Sequence, residues 1–304
     1  MNYFLQTLID AVSLGSLYAL AALGIGLLFG ILKLINFAHG EFITVGAYSL
    51  IVPSAAVTAT ALIGAWSVWI LIPAVCLVVT GVALLSDRLV FRHLRTAPPA
   101  SLMVASFALG YLLQNIILMI YGGRPKSIGL WPQLSQIIEL GGIRLPILQI
   151  VVVSTTAVLL IALSLFLRHT RFGLQMRAAA EDFRMARYLG VRGNFVIGIA
   201  FAISAILASA VALLLTTQSG VLSPTVGASL ITYAFIATVI GGMGSLTGAV
   251  LGGMAVGFAS AFLQAYLPIE MRAFRDAFLF TLLALFLAFR PGGIIKVRAL
   301  EERV

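Results

Sequence analysis

Nine apolar stretches with almost no charged residues constrain the fold of this chain more than any other feature of its sequence. Because a helix needs about 20 apolar residues to cross a bilayer, the pattern predicts an all-α polytopic membrane protein with about eight to ten transmembrane or partly re-entrant helices. The second and seventh stretches are short for a crossing, so each is a candidate for a tilted, broken or re-entrant element. The stretches occupy residues 8–32, 42–58, 62–86, 100–121, 146–167, 195–217, 228–243, 247–267 and 276–290.

Composition excludes an ordinary water-soluble fold. Of the 304 residues, 61% are hydrophobic and 10% are charged, whereas about 25% of a typical soluble domain is charged. So few ionised side chains cannot cover the surface of a soluble protein of this length, and we expect one transmembrane domain over residues 1–304. The single cysteine, Cys76, excludes an intrachain disulfide and a cysteine-based metal cluster.

The Lys and Arg residues predict the orientation of the chain. If the nine stretches cross alternately from an external amino terminus, fourteen of the 19 basic residues fall on one side. Basic residues accumulate in the cytoplasm, so we expect the segment 168–194 and the carboxy terminus to be cytoplasmic and the loop 122–145 to be external. The net charge of +9 is then a topology signal and not a sign of nucleic-acid binding. The five basic residues on the external side are Arg124, Lys126, Arg144, Arg272 and Arg275.

A polar motif separates the first two apolar stretches. It begins at Asn36, reads Asn-Phe-Ala-His-Gly-Glu-Phe, and is expected at or just inside the cytoplasmic interface. An ionised carboxylate is costly inside a bilayer, so Glu41 needs a partner, which His39 or Lys33 would supply. One interpretation is a broken helix whose Asn36, His39, Gly40 and Glu41 line a pathway through the membrane. The alternative is an interfacial turn in which Asn36 caps the second helix.

An amphipathic pattern within the cytoplasmic segment predicts one helix from about residue 174 to residue 189. Apolar residues recur at three- and four-residue steps, and Arg177, Glu181 and Arg184 lie on the opposite face. Gly190 is expected to end the helix. Such a helix either docks its apolar stripe into a groove of a partner protein or lies on lipid headgroups. The stripe consists of Met176, Ala179, Ala180, Phe183, Ala186 and Leu189.

Glycines are concentrated after the seventh stretch. Gly244, Gly248 and Gly252 recur at every fourth residue, and this spacing allows another backbone to approach closely. Together with Gly241 and Gly242, they are interpreted as a helix-packing surface, with a hinge or a pathway lining as the alternative.

One four-residue sequence occurs twice in the chain. The sequence Thr-Val-Gly-Ala occurs at residues 44–47 and again at residues 225–228. In the topology above, the two copies lie near opposite faces of the membrane. An inverted repeat is therefore a hypothesis.

Missing motifs argue against several activities. No lysine follows a glycine, so a Walker A phosphate loop is excluded. All ten Asp and Glu residues lie at the end of an apolar stretch or outside one, which argues against a proton-coupled carrier. The sequence shows no Ser/His/Asp arrangement and no His-Glu-x-x-His motif that would indicate a hydrolase. We therefore assign no catalytic residue, no metal site and no cofactor.

Several groups of residues, in the same order, resemble the landmarks of one family. Residues 15–20 (Gly-Ser-Leu-Tyr-Ala-Leu) and 35–42 (Ile-Asn-Phe-Ala-His-Gly-Glu-Phe) resemble the amino-terminal signature of permeases from branched-chain amino-acid ABC importers, the LivH type. Residues 170–173 (Thr-Arg-Phe-Gly), 176–178 (Met-Arg-Ala) and 186–190 (Ala-Arg-Tyr-Leu-Gly) resemble the cytoplasmic coupling segment of that family. One departure is Glu181-Asp182-Phe183, where many relatives carry Gln-Asp-Pro. Later landmarks are Gly241–Ser245 and Phe289–Gly293.

The resemblance implies a permease subunit in the bacterial inner membrane that moves branched-chain, hydrophobic amino acids and is not itself an enzyme. Its implied partners are a second, LivM-like permease subunit, two ATP-binding subunits and a periplasmic solute-binding protein. A permease for urea, short amides or another small organic solute is the alternative, and a gradient-driven carrier or channel is the remote one. The implied coupling residues are Met176, Arg177, Ala180, Glu181, Phe183, Arg184, Ala186, Arg187, Leu189 and Gly190.

Overall fold

The structure is a computed structural model, and it describes residues 2–32, 35–54, 56, 58–95, 97–140 and 143–295. Within these ranges each of the nine apolar stretches contains one helix, and this confirms the all-α membrane architecture. The helices are α1 (Asn2–Leu32), α2 (His39–Tyr48), α3 (Val68–Ser86), α4 (Arg92–Leu94), α5 (Pro99–Tyr121), α6 (Ile147–His169), α7 (Arg171–Glu181), α8 (Phe183–Tyr188), α9 (Gly193–Ser219), α10 (Val226–Gly241), α11 (Leu246–Tyr266) and α12 (Arg275–Phe289). Four short strands accompany them: β1 (Lys126–Ser127), β2 (Ile137–Leu140), β3 (Ile143–Pro146) and β4 (Val221–Leu222).

Six of the helices are long and apolar enough to cross a membrane. They are α1, α3 with its continuation through α4, α5, α6, α9 and α11. Three others are shorter: α2 has 10 residues, α10 has 16 and α12 has 15. At 1.5 Å per residue, α2 extends about 15 Å, or half of a hydrocarbon core about 30 Å thick.

The second apolar stretch, predicted over residues 42–58, is helical only as far as Tyr48. Beyond it the chain becomes extended, since Ile51 forms a β-bridge with Ala61 and Val52 N donates to Thr60 O at 2.8 Å. The broken or re-entrant interpretation is therefore correct for this stretch.

One compact unit is formed by Leu27–Leu130 and Ala162–Ile231. Within it α2 packs against α3, α5 and α9. At one end of this unit, β1 pairs antiparallel with β4. The buried Lys126 ammonium joins a neighbouring loop to this ribbon, because Nζ donates to Ser54 O and to Ala56 O, the latter at 3.0 Å.

The other compact unit is formed by Met1–Gly26, Trp131–Ile161 and Thr232–Val304, as far as these are described. Within it α12 packs against α11. Strands β2 and β3 form an antiparallel hairpin, which overlaps the end of the segment 122–145. The turn residues 141 and 142 lie outside the described residues.

In the unit that contains α2, two polar contacts join residues that the charge pattern assigns to the same side of the membrane. Lys126 lies with Ser54 and Ala56, all expected on the external side. Asp87 and Arg95, both expected on the cytoplasmic side, form an ion pair. Four residues of the cytoplasmic charge count, Lys33, Lys296, Arg298 and Arg303, lie outside the described residues.

Candidate functional site

Helix α2 is enclosed by other elements of its own compact unit. Nine of its ten residues are buried, so a polar side chain on any face of this helix lies in the protein interior. Gly46 allows close packing on one face, because a methyl group there would lie 2.9 Å from Ala212 Cβ of α9 and 3.1 Å from Val79 Cγ2 of α3. The short helix is therefore held between longer ones.

The polar residues at the start of α2 are fully buried. Asn36 Oδ1 accepts from Ala38 N at 3.1 Å, and His39 Nδ1 hydrogen-bonds to Ser204 Oγ of α9 at 3.0 Å. Asn36 Nδ2 and His39 Nε2 have no hydrogen-bond partner among the described residues. The interpretation of Asn36 as the N-cap of α2 is wrong. The N-cap position is two residues later, at Ala38, whose side chain makes no capping hydrogen bond.

Glu41 lies in the first turn of α2 and is 4% exposed. Its Oε2 has no hydrogen-bond partner in the part of the chain that the structure describes. The expected pairing with His39 is wrong, because residues two apart on a helix point in different directions. His39 contacts α9, whereas Glu41 lies beside α5. The other expected partner, Lys33, lies outside the described residues.

The depth of Glu41 differs from the sequence expectation of an interfacial position. Gly110 is the middle residue of the 23-residue α5, and a methyl group on it would lie 3.7 Å from Glu41 Cγ. Glu41 is therefore about 16 Å along α5 from either end of that helix. An ionised acid at such a depth costs about 2.5–3.5 kcal/mol on insertion scales. The argument that every acid lies outside the apolar interior is wrong for Glu41.

The two Thr-Val-Gly-Ala copies are in contact in the structure, so the expectation that they lie near opposite faces of the membrane is wrong. Thr44 Oγ1 accepts from Gly227 N at 3.1 Å, and the Tyr48 hydroxyl donates to Leu222 O at 3.3 Å. A methyl group on Gly227 would overlap Gly40 O. The contacts run in opposite directions along α2 and the start of α10, so the two segments cross antiparallel. Glycine is required at this crossing because the backbones touch.

The predicted single helix from residue 174 to residue 189 is wrong. It is divided at Asp182, which is extended (φ −140°, ψ 104°) and separates α7 from α8. Asp182 Oδ1 accepts from Arg184 N at 2.8 Å and from Met185 N at 2.9 Å, so this aspartate is the N-cap of α8. Gly190 ends α8 as expected, with φ +90°.

The buried side of the helix pair faces its own compact unit. Met176, Ala179 and Ala186 of the predicted stripe are buried, and α7 packs against α9. Leu189 is instead 80% exposed, next to Tyr188, which is 83% exposed. The apolar surface available to a partner is therefore different from the predicted stripe.

A polar network that the sequence analysis missed connects α3 to the start of α9. Arg95 Nη2 donates to both carboxylate oxygens of Asp87, at 2.7 and 2.8 Å, and Arg95 Nη1 donates to Asn194 Oδ1. Asp87 begins a π-helical turn that continues α3, and Phe91 of that turn packs against Phe201 of α9, with ring centroids 5.2 Å apart. A π-turn redirects side chains in a way that apolar periodicity does not reveal.

The glycine-rich region contains a loop and a packing surface. Gly242 and Gly244 have positive φ angles and lie between α10 and α11, so Gly244 does not belong to the helical series that we predicted. Gly248 and Gly252 lie in α11 and closely approach Gly241 and Ala237 of α10. The packing interpretation is supported for Gly241, Gly248 and Gly252.

Two of the motifs singled out in the sequence meet at the end of α10. Ile294 N donates to Ile240 O at 2.7 Å, and Ile295 N donates to Gly241 O at 3.0 Å. These bonds satisfy carbonyl groups that a helix end leaves free. A methyl group on Gly293 would lie 2.7 Å from Ile240 O, so a glycine fits at this point.

No group of three or more His, Cys, Asp or Glu side chains that could hold a metal ion occurs among the residues described. The site at α2 is therefore a set of single polar groups, Asn36, His39 and Glu41, that face different neighbours. Ionisable groups buried within the membrane are candidates for a functional role, because placing them there costs free energy.

Comparison with known proteins identifies the family. The family model described as "Branched-chain amino acid transport system / permease component" matches residues 7–288. The chain is 33% identical to the high-affinity branched-chain amino acid transport system permease protein LivH of Salmonella typhimurium, with 99% of this chain and 98% of LivH covered. It is 34% identical to the corresponding permease BraD of Pseudomonas aeruginosa, with the same coverage. No solved structure matches.

LivH of Escherichia coli K12 is also 33% identical, and 98% of its length is covered. The matched region therefore extends over almost the whole chain and is not confined to one apolar helix. The chain belongs to the family of permease components of branched-chain amino acid transport systems.

Proposed function

We propose that this chain is the permease subunit of a bacterial ATP-binding-cassette importer and that it translocates branched-chain amino acids across the inner membrane. The observation that carries the proposal is similarity along almost the whole chain to permeases named for that transport. The six helices of spanning length support it. Residues 1–304 form one permease domain in this proposal, supported by a family match that extends over both compact units.

Energy for transport comes from separate subunits in this proposal. The chain has no Gly-Lys pair and so cannot bind ATP through a Walker A loop. Two ATP-binding subunits, a second permease subunit and a periplasmic solute-binding protein complete the importer. The distribution of Lys and Arg supports a cytoplasmic segment 168–194, a cytoplasmic carboxy terminus and a periplasmic loop 122–145.

The pair of helices α7 and α8 couples the permease to the ATP-binding subunits. Met185, Tyr188 and Leu189 form an exposed apolar surface on and just after α8, which suits helix-in-groove docking. Phe183 of α8 packs beside Gly193 at the start of α9, where a methyl group would lie 2.8 Å from the Phe183 ring. A push on α8 is therefore transmitted to α9, against which α2 packs.

The substrate pathway passes α2 in this proposal. Its support is the burial of His39 and Glu41 in a helix too short to cross the membrane, and of Asn36 just before that helix. Discontinuous helices of this kind line the substrate pathways of many transporters. Gly40 contributes by allowing α2 to touch α10.

Uptake by the assembled complex tests the function. The permease, its paralogue, the ATP-binding subunits and the solute-binding protein are reconstituted in vesicles, and uptake of labelled leucine is measured with ATP or with a non-hydrolysable analogue. We expect leucine uptake with ATP and none with the non-hydrolysable analogue. Leucine uptake without hydrolysis, or uptake of urea but no leucine, would contradict the proposal.

Coupling is tested by Tyr188→Asp in the same complex. Because Tyr188 is exposed, the change leaves the fold intact and removes apolar docking surface, so stimulated ATP hydrolysis should fall by about tenfold. Ile137→Asp is the matched control, since Ile137 is also exposed but lies on the β2–β3 hairpin. Equal stimulation in both variants would exclude the coupling role of α8.

A further inference from the structure

Glu41 has no charged neighbour on any element packed against its helix. The sequences of α3, α5 and α9 contain no Asp, Glu, His, Lys or Arg, and neither do residues 226–231 at the start of α10. The only other charged or imidazole group on α2 is His39, whose ring hydrogen-bonds to Ser204. No cation that the structure describes can therefore neutralise a carboxylate at this position.

The position of Glu41 on its helix favours the ionised form of the acid. It is the third residue of α2, and the amino-terminal turn of a helix stabilises negative charge. Glu41 Oε2 nevertheless has no hydrogen-bond partner among the described residues. A cationic ligand would supply the positive charge and the hydrogen-bond donors that this carboxylate lacks among the described residues.

The space beside Glu41 is bordered by a residue without a side chain. Gly110 faces Ala38, Glu41 and Phe37, and a methyl group on it would meet all three at ordinary contact distances of 3.6 to 3.8 Å. A larger side chain would cover the carboxylate. On this face of α5, Glu41 is therefore covered by a residue that has no side chain.

We propose that the Glu41 carboxylate binds the α-ammonium group of the amino acid as it passes the middle of the membrane. This inference rests on the proposed function, in which the cargo is an amino acid. An ammonium group supplies the positive charge and the N–H donors that Glu41 lacks. The site selects compounds with a free ammonium group, and the apolar helices around α2 suit a branched aliphatic side chain.

Glu41→Gln tests the proposal in the reconstituted complex, because glutamine has nearly the same shape as glutamate but cannot carry a negative charge. Removing one partner of a buried charge pair has a large effect, so we expect leucine uptake to fall by at least about tenfold. Stimulation of ATP hydrolysis by the solute-binding protein should stay within about twofold, since the α8 surface is unchanged. Glu41→Asp, which retains the charge, should keep more uptake than Glu41→Gln. The matched control is Glu139→Gln, the same substitution at an exposed acid of the β2–β3 hairpin, and it should transport at nearly the normal rate.

Two results distinguish the inference from the proposed function. If the unmodified complex takes up no leucine, the proposed function fails. If it takes up leucine and Glu41→Gln does so equally well, only the role of the carboxylate is overturned, because a neutral side chain then suffices.

A second measurement uses only the unmodified complex, so it tests the proposal even if the Glu41→Gln complex does not assemble. Thermal unfolding of the unmodified complex, without solute-binding protein, is followed at high concentrations of leucinol and of 4-methylpentanoate. Leucinol keeps the ammonium group and should raise the unfolding temperature, whereas 4-methylpentanoate keeps only the side chain and a carboxylate and should not. Equal effects, or no effect of leucinol, would overturn the proposal.

Discussion

The Asp87–Arg95 ion pair allows a quantitative test of how the end of α3 is fixed to α9. Arg95→Met keeps much of the apolar stem and removes the guanidinium, which leaves Asp87 without its cation. The two side chains are 11% and 16% exposed and their closest atoms are 2.7 Å apart. At an effective dielectric constant of about 20, charges at that distance attract by about 6 kcal/mol before desolvation is subtracted.

The net effect on stability is smaller than this attraction. Breaking a fully buried pair costs about 3–5 kcal/mol, and breaking an exposed one costs about 0–1 kcal/mol. For a pair that keeps slight exposure we expect a loss of about 2–3 kcal/mol. At about 2 °C per kcal/mol for a chain of this length, the unfolding temperature of the purified protein in detergent should fall by about 4–6 °C.

Arg144→Met is the matched control for this measurement. Arg144 and Glu139 form an ion pair on the β2–β3 hairpin, but their side chains are 74% and 70% exposed, so the same substitution should lower the unfolding temperature by less than about 2 °C. The double variant Asp87→Asn/Arg95→Met should lose less than the sum of its single changes. Equal losses at Arg95 and Arg144, or strict additivity, would refute the reasoning.

Three further predictions concern close packing, helix ends and caps. Gly253→Ala should cost about 1–3 kcal/mol because its methyl group would meet the Ala19 backbone of α1, whereas Gly81→Ala, with nothing within 4 Å, should be neutral or stabilising; similar thermal shifts for both would contradict this account. Gly190→Ala should lower the unfolding temperature, since a φ of +90° costs an L-residue about 1–2 kcal/mol; an unchanged temperature would mean that the turn adapts. Asp182→Ala should speed hydrogen exchange in α8 but not in α7, because the capping bonds belong to α8; equal acceleration would indicate a general loss of structure.

The number of apolar helices was predictable from the sequence because it depends on the length and charge of each stretch. The break at Asp182 was not predicted, since apolar residues keep a three- and four-residue spacing across it and the periodicity therefore continues. A signal was nevertheless present. Aspartate is a favoured N-cap residue, and Asp182 directly precedes Phe183, the first residue of α8.

The depth of Glu41 could not be derived from the sequence for a different reason. An acid at the end of an apolar stretch lies near the membrane surface only if the stretch crosses the membrane completely. Since α2 spans about half of the hydrocarbon core, its first turn lies at the middle of α5, and only the neighbour Gly110 reveals this. The absence of acids inside the stretches therefore cannot argue against a coupled carrier. The argument for an ATP-driven importer depends instead on the family and on the missing nucleotide loop. Among the described residues, no cation lies on the helices packed against Glu41, and the ammonium group of an amino-acid cargo is the counter-charge that we propose for it.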